Sequence, residues 1–398
     1  MPPSVLDTHC QGGGLLKTTP NWGALRRTFW QFCGEKGPGK TYALPPKQDL
    51  RGKNVIVSGA NSGIGKEAAY IFALWGAHVI LACRDAPSYE QHPTATISEL
   101  LSRSSGSISP SQLEWWEVDF ASIDSIKAFG RRWRESGMVC DILANNAGLS
   151  VGKRTITRDG FELTNQVNFL GHCLMTLYVL PSMKKAQAPR IVNTTSVFHF
   201  GGFLDFANFN NEKRTSGGLH GVRFYCDTKL RLQIWTVELQ RRLSRSDSYR
   251  HVIVHGCHPG FIKSNIWNNP SIKKLPWPLP QLLNFVINLL SVNTFQGSLA
   301  ILHSALRPDL GLPRAVVETA KTGQPPVLAM GESIKYGGRF VNRVTASWMR
   351  PECADPLVRA RLWQRVLEDL KADKSRGQDE IAQDLPSHSP GLLEVEKS

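Results

Sequence analysis

Tyr225 and Lys229, four residues apart in Tyr225-Cys-Asp-Thr-Lys229, carry the strongest chemical signal in the chain. On a helix, residues so spaced project from one face and can meet the same ligand. A phenol titrates near about 10, too high for ready proton exchange at neutral pH, and a nearby ammonium favours phenolate and lowers that value. The pair therefore reads as a proton donor and acceptor with Tyr225 as general acid/base. Upstream, Ser196 ends the run R-I-V-N-T-T-S and offers a hydroxyl that can hydrogen-bond a reacting oxygen and stabilise developing charge. Each signal has an ordinary reading beside it, since a tyrosine opening a helix is usually packing and Y-x-x-x-K arises by chance in many proteins. Their weight comes from company.

That company begins with Ser58-Gly59-Ala60-Asn61-Ser62-Gly63-Ile64-Gly65. Three glycines between a strand and a helix let the backbone turn tightly and bring amide N–H groups against a diphosphate at the helix N-terminus. A glycine turn alone can be purely steric; here its place between strand and helix favours a dinucleotide. Coenzyme choice is read at the end of the next strand, where an acid would accept both ribose hydroxyls and repel a 2′-phosphate. Arg84 stands there, and its guanidinium suits the phosphate, so NADP(H) is favoured. Asp85 follows at once and keeps NAD(H) and a surface role for Arg84 as alternatives.

The elements that must position these residues are legible as alternation. N-V-I-V-S-G, A-H-V-I-L-A-C-R, E-W-W-E-V-D-F, C-D-I-L-A-N-N-A-G, R-I-V-N-T-T-S and H-V-I-V-H-G-C-H-P-G read as six strands. Helices separate them, including a long one through 157 to 186 and one near 223 to 243. Near-continuous apolar strands imply a sheet buried on both faces. The prediction is one α/β domain, a doubly wound parallel sheet with right-handed crossovers and helices on both faces. An N-terminal extension spans 1–50, the nucleotide-binding domain 51–345, a C-terminal helix 346–372 and a flexible, acid-rich tail 373–398.

The glycine spacing, with Ser58 where threonine is usual, resembles the T-G-x-x-x-G-x-G of the short-chain dehydrogenase/reductase family. Asn145-Asn146-Ala147-Gly148, Ser196, the Tyr225–Lys229 pair and Pro259-Gly260 with Ser264 extend the resemblance over about 50 to 310. It implies a Rossmann-like fold in which Asn145, Ala147 and Gly148 line the coenzyme and Asp119 contacts adenine. Pro259, Gly260 and Ser264 close over the nicotinamide. Lys229 holds the nicotinamide ribose beside Tyr225, and Asn168 anchors a water leading to Lys229. The A-C-R-D strand end, the N-S-G-I-G-K turn and the long insertion between Ser196 and Tyr225 resemble retinol dehydrogenase and WW-domain oxidoreductase relatives, which implies lipophilic alcohols and carbonyls as substrates. A substrate lid is expected over about 261–295, with Trp267, Trp277 and L-L-N-F-V-I-N-L-L-S; an amphipathic helix covering the core or a dimer contact are its alternatives. A non-turnover NADP(H) sensor or scaffold competes with the enzyme, and the intact Ser196, Tyr225 and Lys229 argue against it. An epimerase or dehydratase is disfavoured by the glycine spacing and the short stretch after 310.

Composition narrows the partners. The 398 residues are 41% hydrophobic and 20% charged, matching a soluble globular protein, and no apolar run is long enough to span a bilayer. The N-terminus has no secretory signal, so a cytosol-facing location is expected, with peripheral membrane contact through the lid as an option. The net charge of +14 is dispersed and lacks interleaved aromatics, so nucleic acid is not expected. Eight separate cysteines read as reduced thiols, and the eleven histidines show no metal-ligand spacing. A small lipophilic substrate is the expected partner; homo-oligomers are common among such proteins. Cys83, Cys257 and His255 on apolar strands, with Trp115, Trp116 and Trp133, read as core.

Overall fold

The structure is a computed structural model that describes residues 7–11, 14–19, 23, 26, 40–213, 220–262, 291–318 and 325–370. Residues 263–290 of the expected lid, Ser264 among them, the amphipathic patch from Trp22 to Phe32 (apart from the backbone at 23 and 26) and the acid-rich tail lie outside the described residues. An N-terminal hairpin, β1 (Asp7–Gln11) and β2 (Gly14–Thr19), precedes the nucleotide-binding unit. That unit then runs β3 (Asn54–Ser58), α1 (Gly63–Leu74), β4 (His78–Cys83), α2 (Pro93–Arg103), β5 (Leu113–Glu117), α3 (Ile123–Glu135) and β6 (Ile142–Asn145). The helical stretch α4 (Leu163–Val179), β7 (Arg190–Thr194), the short β8 (Leu204–Asp205), α5 (His220–Ser244), β9 (Ile253–His258) and α6 (Thr294–Leu306) follow. The described chain closes with α7 (Arg314–Glu318), β10 (Arg339–Asn342), β11 (Thr345–Ser347) and α8 (Pro356–Asp369).

The main sheet has the order β11-β10-β9-β7-β6-β3-β4-β5, parallel except for the β10–β11 edge. The six predicted strands are all in it. Side chains alternate across a strand, and β3 shows the consequence. Val55 and Val57 enter a core with α1, α2 and α6, while Ile56 enters the opposite core with α3, α4, α5 and α8. All three are fully buried, each contributing about 1.5–3 kcal/mol of transfer free energy. Trp116 and Trp133 fill the second core at 5.7 Å from each other, and Cys83, Cys257 and His255 are buried as expected. Trp115 packs half-buried against the core that holds Val55 and Val57, its indole N–H donating to the Cys83 carbonyl at 2.9 Å.

The structure departs from the sequence expectation at several points. The long helix begins at Leu163, because the Glu162 carboxylate accepts the N–H groups of Thr164 and Asn165 at 2.9 Å each and caps it. It loses α geometry after Val179, giving a 3-10 run Leu180–Lys185 that contains Pro181. Strands β10 and β11 extend the sheet past the six predicted, and β1–β2 pairs with β8 in a separate three-stranded sheet. The C-terminal helix α8 is part of the core: Trp363 stacks on Trp235 at 4.4 Å, and buried Glu238 binds both Arg242 and Arg359.

Candidate active site

Strand order reverses at β3, where β4 lies on one side and β6 on the other, and the crevice beyond the strands' carboxyl ends is where such folds bind ligands. Ser58 ends β3 there. Its hydroxyl accepts the N–H groups of Asn146 and Ala147 at 2.8 and 3.0 Å, so the serine in place of threonine still locks the glycine turn to the loop after β6. Gly59 has a left-handed φ of +64°, and a Cβ there would lie 2.9 Å from the Ala147 Cα. Gly65 is pressed against the Gly59 carbonyl and the Asn146 side chain. Beneath the turn, the buried Cys83 thiol accepts the Ala60 N–H at 3.1 Å, and burial pushes its pKa up to about 12.

Gly63 differs from its neighbours: at φ +60°, a Cβ would meet nothing within 4 Å. Ser62, the residue capping α1, makes no side-chain capping bond, and the first helical turn carries no acid. Backbone donors at an uncapped helix start beside open space fit a diphosphate. Ile64 lies under α6, close to Gly297. Asn61 ties the turn to the segment after β4, donating to the Gln91 carbonyl at 3.1 Å while its own carbonyl accepts from Thr96 at 2.9 Å.

Beyond β4, Arg84 pairs with Glu90 at 2.6 Å and feels the charge of Asp119 as well. Asp119 caps the turn into α3 by accepting the Ala121 N–H at 2.8 Å. Across the sheet, the Asn145 amide donates to Thr176 and Asn193, and Asn193 passes a bond on to Thr236 of α5 at 2.8 Å. This ladder fixes β6, β7, α4 and α5 together.

Asn168 sits on a π-helical turn, Gln166–Leu170, within α4; such turns are frequent at functional sites. Its side chain exchanges two 2.8 Å bonds with the backbone of Leu149, next to Gly148, and reaches Thr228 at 3.4 Å. Thr228 in turn donates to the Tyr225 carbonyl at 2.8 Å. Hydrogen bonds therefore run from the glycine turn through the loop after β6 to α5.

Lys229 lies behind the phenol ring, its Nζ 5.2 Å from the ring centroid, and donates to the Thr194 carbonyl at 2.8 Å. The two residues four apart do meet. Tyr225 hydrogen-bonds Ser196, whose hydroxyl also accepts the Phe198 N–H at 3.2 Å. Burial raises the phenol's pKa above the usual tyrosine range, and the Ser196 bond only partly offsets this. Burial also lowers Lys229 to about 8. The ammonium is bonded to the Thr194 carbonyl and lies over the ring face, and burial outweighs its pull on the phenol.

Four features were not read from sequence. His172 contacts the Ala147 carbonyl at 2.7 Å, and His199 contacts the Ser196 carbonyl at 2.6 Å. Burial lowers both imidazoles to about 3, so each is neutral and holds backbone on one side of the site. The half-buried rings of Phe198 and Phe261 stand beside Tyr225: Phe198 packs edge-on to it at 6.2 Å and against Phe261 at 6.3 Å. A histidine in N-F-L-G-H and an aromatic two residues after Ser196 are the sequence traces of these. Gly260, at φ +92°, and Pro259 follow β9 directly, with Gly260 against the Arg343 side chain. Among the described residues, no group of three or more His, Cys, Asp or Glu could hold a metal ion, and no helix is long and apolar enough to cross a membrane.

The family model described as short chain dehydrogenase matches residues 53–274, more than half of the chain. The chain belongs to the short-chain dehydrogenase/reductase family, whose members are NAD(P)-dependent oxidoreductases. Among its relatives, human retinol dehydrogenase 12 is 36% identical over 321 residues, 81% of this chain and 87% of that protein. Human retinol dehydrogenase 13 is 36% identical over 230 residues, 58% of this chain; the chain spans 65% of that protein's length. In fold it is similar to the crystal structure of an uncharacterised protein from Mycobacterium Paratuberculosis, with a TM-score of 0.55 at 22% identity, covering 83% of this chain and 98% of that one.

Proposed function

We propose that this chain is an NADP(H)-dependent oxidoreductase that interconverts a lipophilic alcohol and its ketone or aldehyde, with Tyr225 as general acid/base. The observation that carries it is the Tyr225 phenol bonded to Ser196 with the Lys229 ammonium behind its ring, linked by hydrogen bonds to an open glycine turn. The reduced nicotinamide, when bound, supplies hydride. Ser196 donates a hydrogen bond to the substrate oxygen, orienting the carbonyl and stabilising the charge that grows on it. Tyr225 gives its proton to that oxygen. Burial holds the phenol in its protonated form, the form that donates. The Lys229 ammonium then stabilises the phenolate left behind. Phe198 and Phe261 give the reacting centre an apolar wall, and relatives named retinol dehydrogenases point to the same substrate class.

The test is titration of the protein's tryptophan fluorescence with NADPH and NADH, then NADPH oxidation against retinoid, steroid and long-chain carbonyl compounds. NADPH binding with turnover is expected; binding without turnover across a broad panel would favour the sensor instead, and no binding of either coenzyme would overturn both.

Lys229 sets a pH limit. A lysine lowered from 10.5 to about 8 is charged below that pH and neutral above it. Values of kcat/KM report the free enzyme, so kcat/KM for reduction should fall as pH rises through about 8. A profile that stays flat from about pH 7 to 9 would show that the Lys229 charge is not needed.

A further inference from the structure

The side chain best placed to read the 2′-phosphate, Arg84, already holds an anion. Its Nη2 lies 2.6 Å from the Glu90 Oε1, in a pair whose side chains remain 44% and 32% exposed. Glu90 is not there by chance of a long side chain. Its N–H closes a turn onto the Pro87 carbonyl at 2.8 Å. The next residue, Gln91, is fixed twice: its carbonyl accepts from Asn61 of the glycine turn, and its amide donates to Glu99 at 2.8 Å. Lys66, on the first turns of α1, binds the same Glu99 at 2.8 Å. The carboxylate is thus carried on a loop braced against the turn and helix that receive the diphosphate.

We propose that Glu90 is a specificity-determining residue that occupies Arg84 as an internal stand-in for the 2′-phosphate, so that NADP(H) must displace it to bind. The proposal rests on the NADP(H) reading. A guanidinium donates to carboxylate and phosphate oxygens through the same planar fork, so the two anions compete for one partner. An ion pair this exposed is weak, so a doubly charged phosphate can displace it. The displaced carboxylate stays near the phosphate as a like charge, which limits NADP(H) affinity. NAD(H) has a ribose hydroxyl at this point and leaves the Arg84–Glu90 pair intact. Its binding therefore does not depend on Glu90.

The experiment compares wild type, Glu90→Gln and Arg84→Ala by fluorescence titration with NADPH, NADH and the fragment 2′,5′-ADP, with thermal melting to confirm that each variant is folded. Glu90→Gln should tighten NADPH and 2′,5′-ADP by about five- to tenfold and change NADH by less than about twofold, the size expected for removing one partly screened like charge. Arg84→Ala should weaken NADPH and leave NADH unchanged. If Arg84→Ala weakens NADPH but Glu90→Gln leaves it unchanged or weaker, Glu90 orients the arginine and does not compete; this proposal fails and the NADP(H) reading stands. If Arg84→Ala leaves NADPH unchanged, the coenzyme assignment itself fails and the proposal goes with it.

Discussion

Replacing Tyr225 by Phe should lower kcat by about 10²- to 10⁴-fold, the range for loss of a positioned general acid, while the Kd for NADPH stays within about twofold. The two effects separate because the ring and the hydroxyl do different jobs. The ring packs on Phe198 and covers the Lys229 Nζ, and phenylalanine keeps both contacts. Lys229 also keeps its bond to the Thr194 carbonyl, so the floor of the site does not move. Only the proton and the bond to Ser196 are lost, and Ser196 retains the Phe198 N–H. Stopped-flow NADPH oxidation beside an equilibrium titration measures both numbers. Retained turnover would remove Tyr225 from the chemistry; lost binding would show that the hydroxyl holds the coenzyme.

From the spacing alone, tyrosine and ammonium form one device in which the cation lowers the phenol. In the fold, the cation faces the ring and a carbonyl, and burial outweighs it. Burial is a tertiary property, and no local pattern encodes it. The architecture was far more legible. Runs such as Val55-Ile56-Val57 and Val79-Ile80-Leu81-Ala82 admit few alternatives to a sheet covered on both faces, and both are fully buried. Strand β10 escaped because Arg339–Asn342 is only four residues long and follows Gly337-Gly338, which reads as a turn. The role of His172 was hidden for a similar reason. A histidine on an apolar helix is ordinarily core, and only the path of the loop after β6 shows that it holds the Ala147 carbonyl. The Arg84–Glu90 pair depends on the turn at Pro87, which folds six residues back on themselves.

The glycines of the turn should separate by function when each is changed to alanine. At Gly65 a methyl would run into the Gly59 carbonyl and come within 2.5 Å of the Asn146 Nδ2, the atom that bonds the Ser58 carbonyl at 2.9 Å. These atoms belong to the frame that closes β3 on β6 and cannot rotate away. Gly65→Ala should therefore destabilise the protein by about 1–3 kcal/mol, as overpacking does, and lose coenzyme binding with the fold. At Gly63 the methyl meets only open space, so the cost to the fold is the left-handed φ, about 1–2 kcal/mol. The same methyl would occupy the space over the α1 N-terminus that the diphosphate reading assigns to the coenzyme. Gly63→Ala should weaken NADPH and NADH alike by more than about tenfold in a protein that still melts cooperatively, a loss of over about 1.4 kcal/mol of binding. Thermal melting and fluorescence titration of the two variants, side by side, decide it. Wild-type affinity in Gly63→Ala would mean that the open side of the turn is not where the diphosphate lies, and the site would have to be rebuilt from Ser196 and Tyr225 outward.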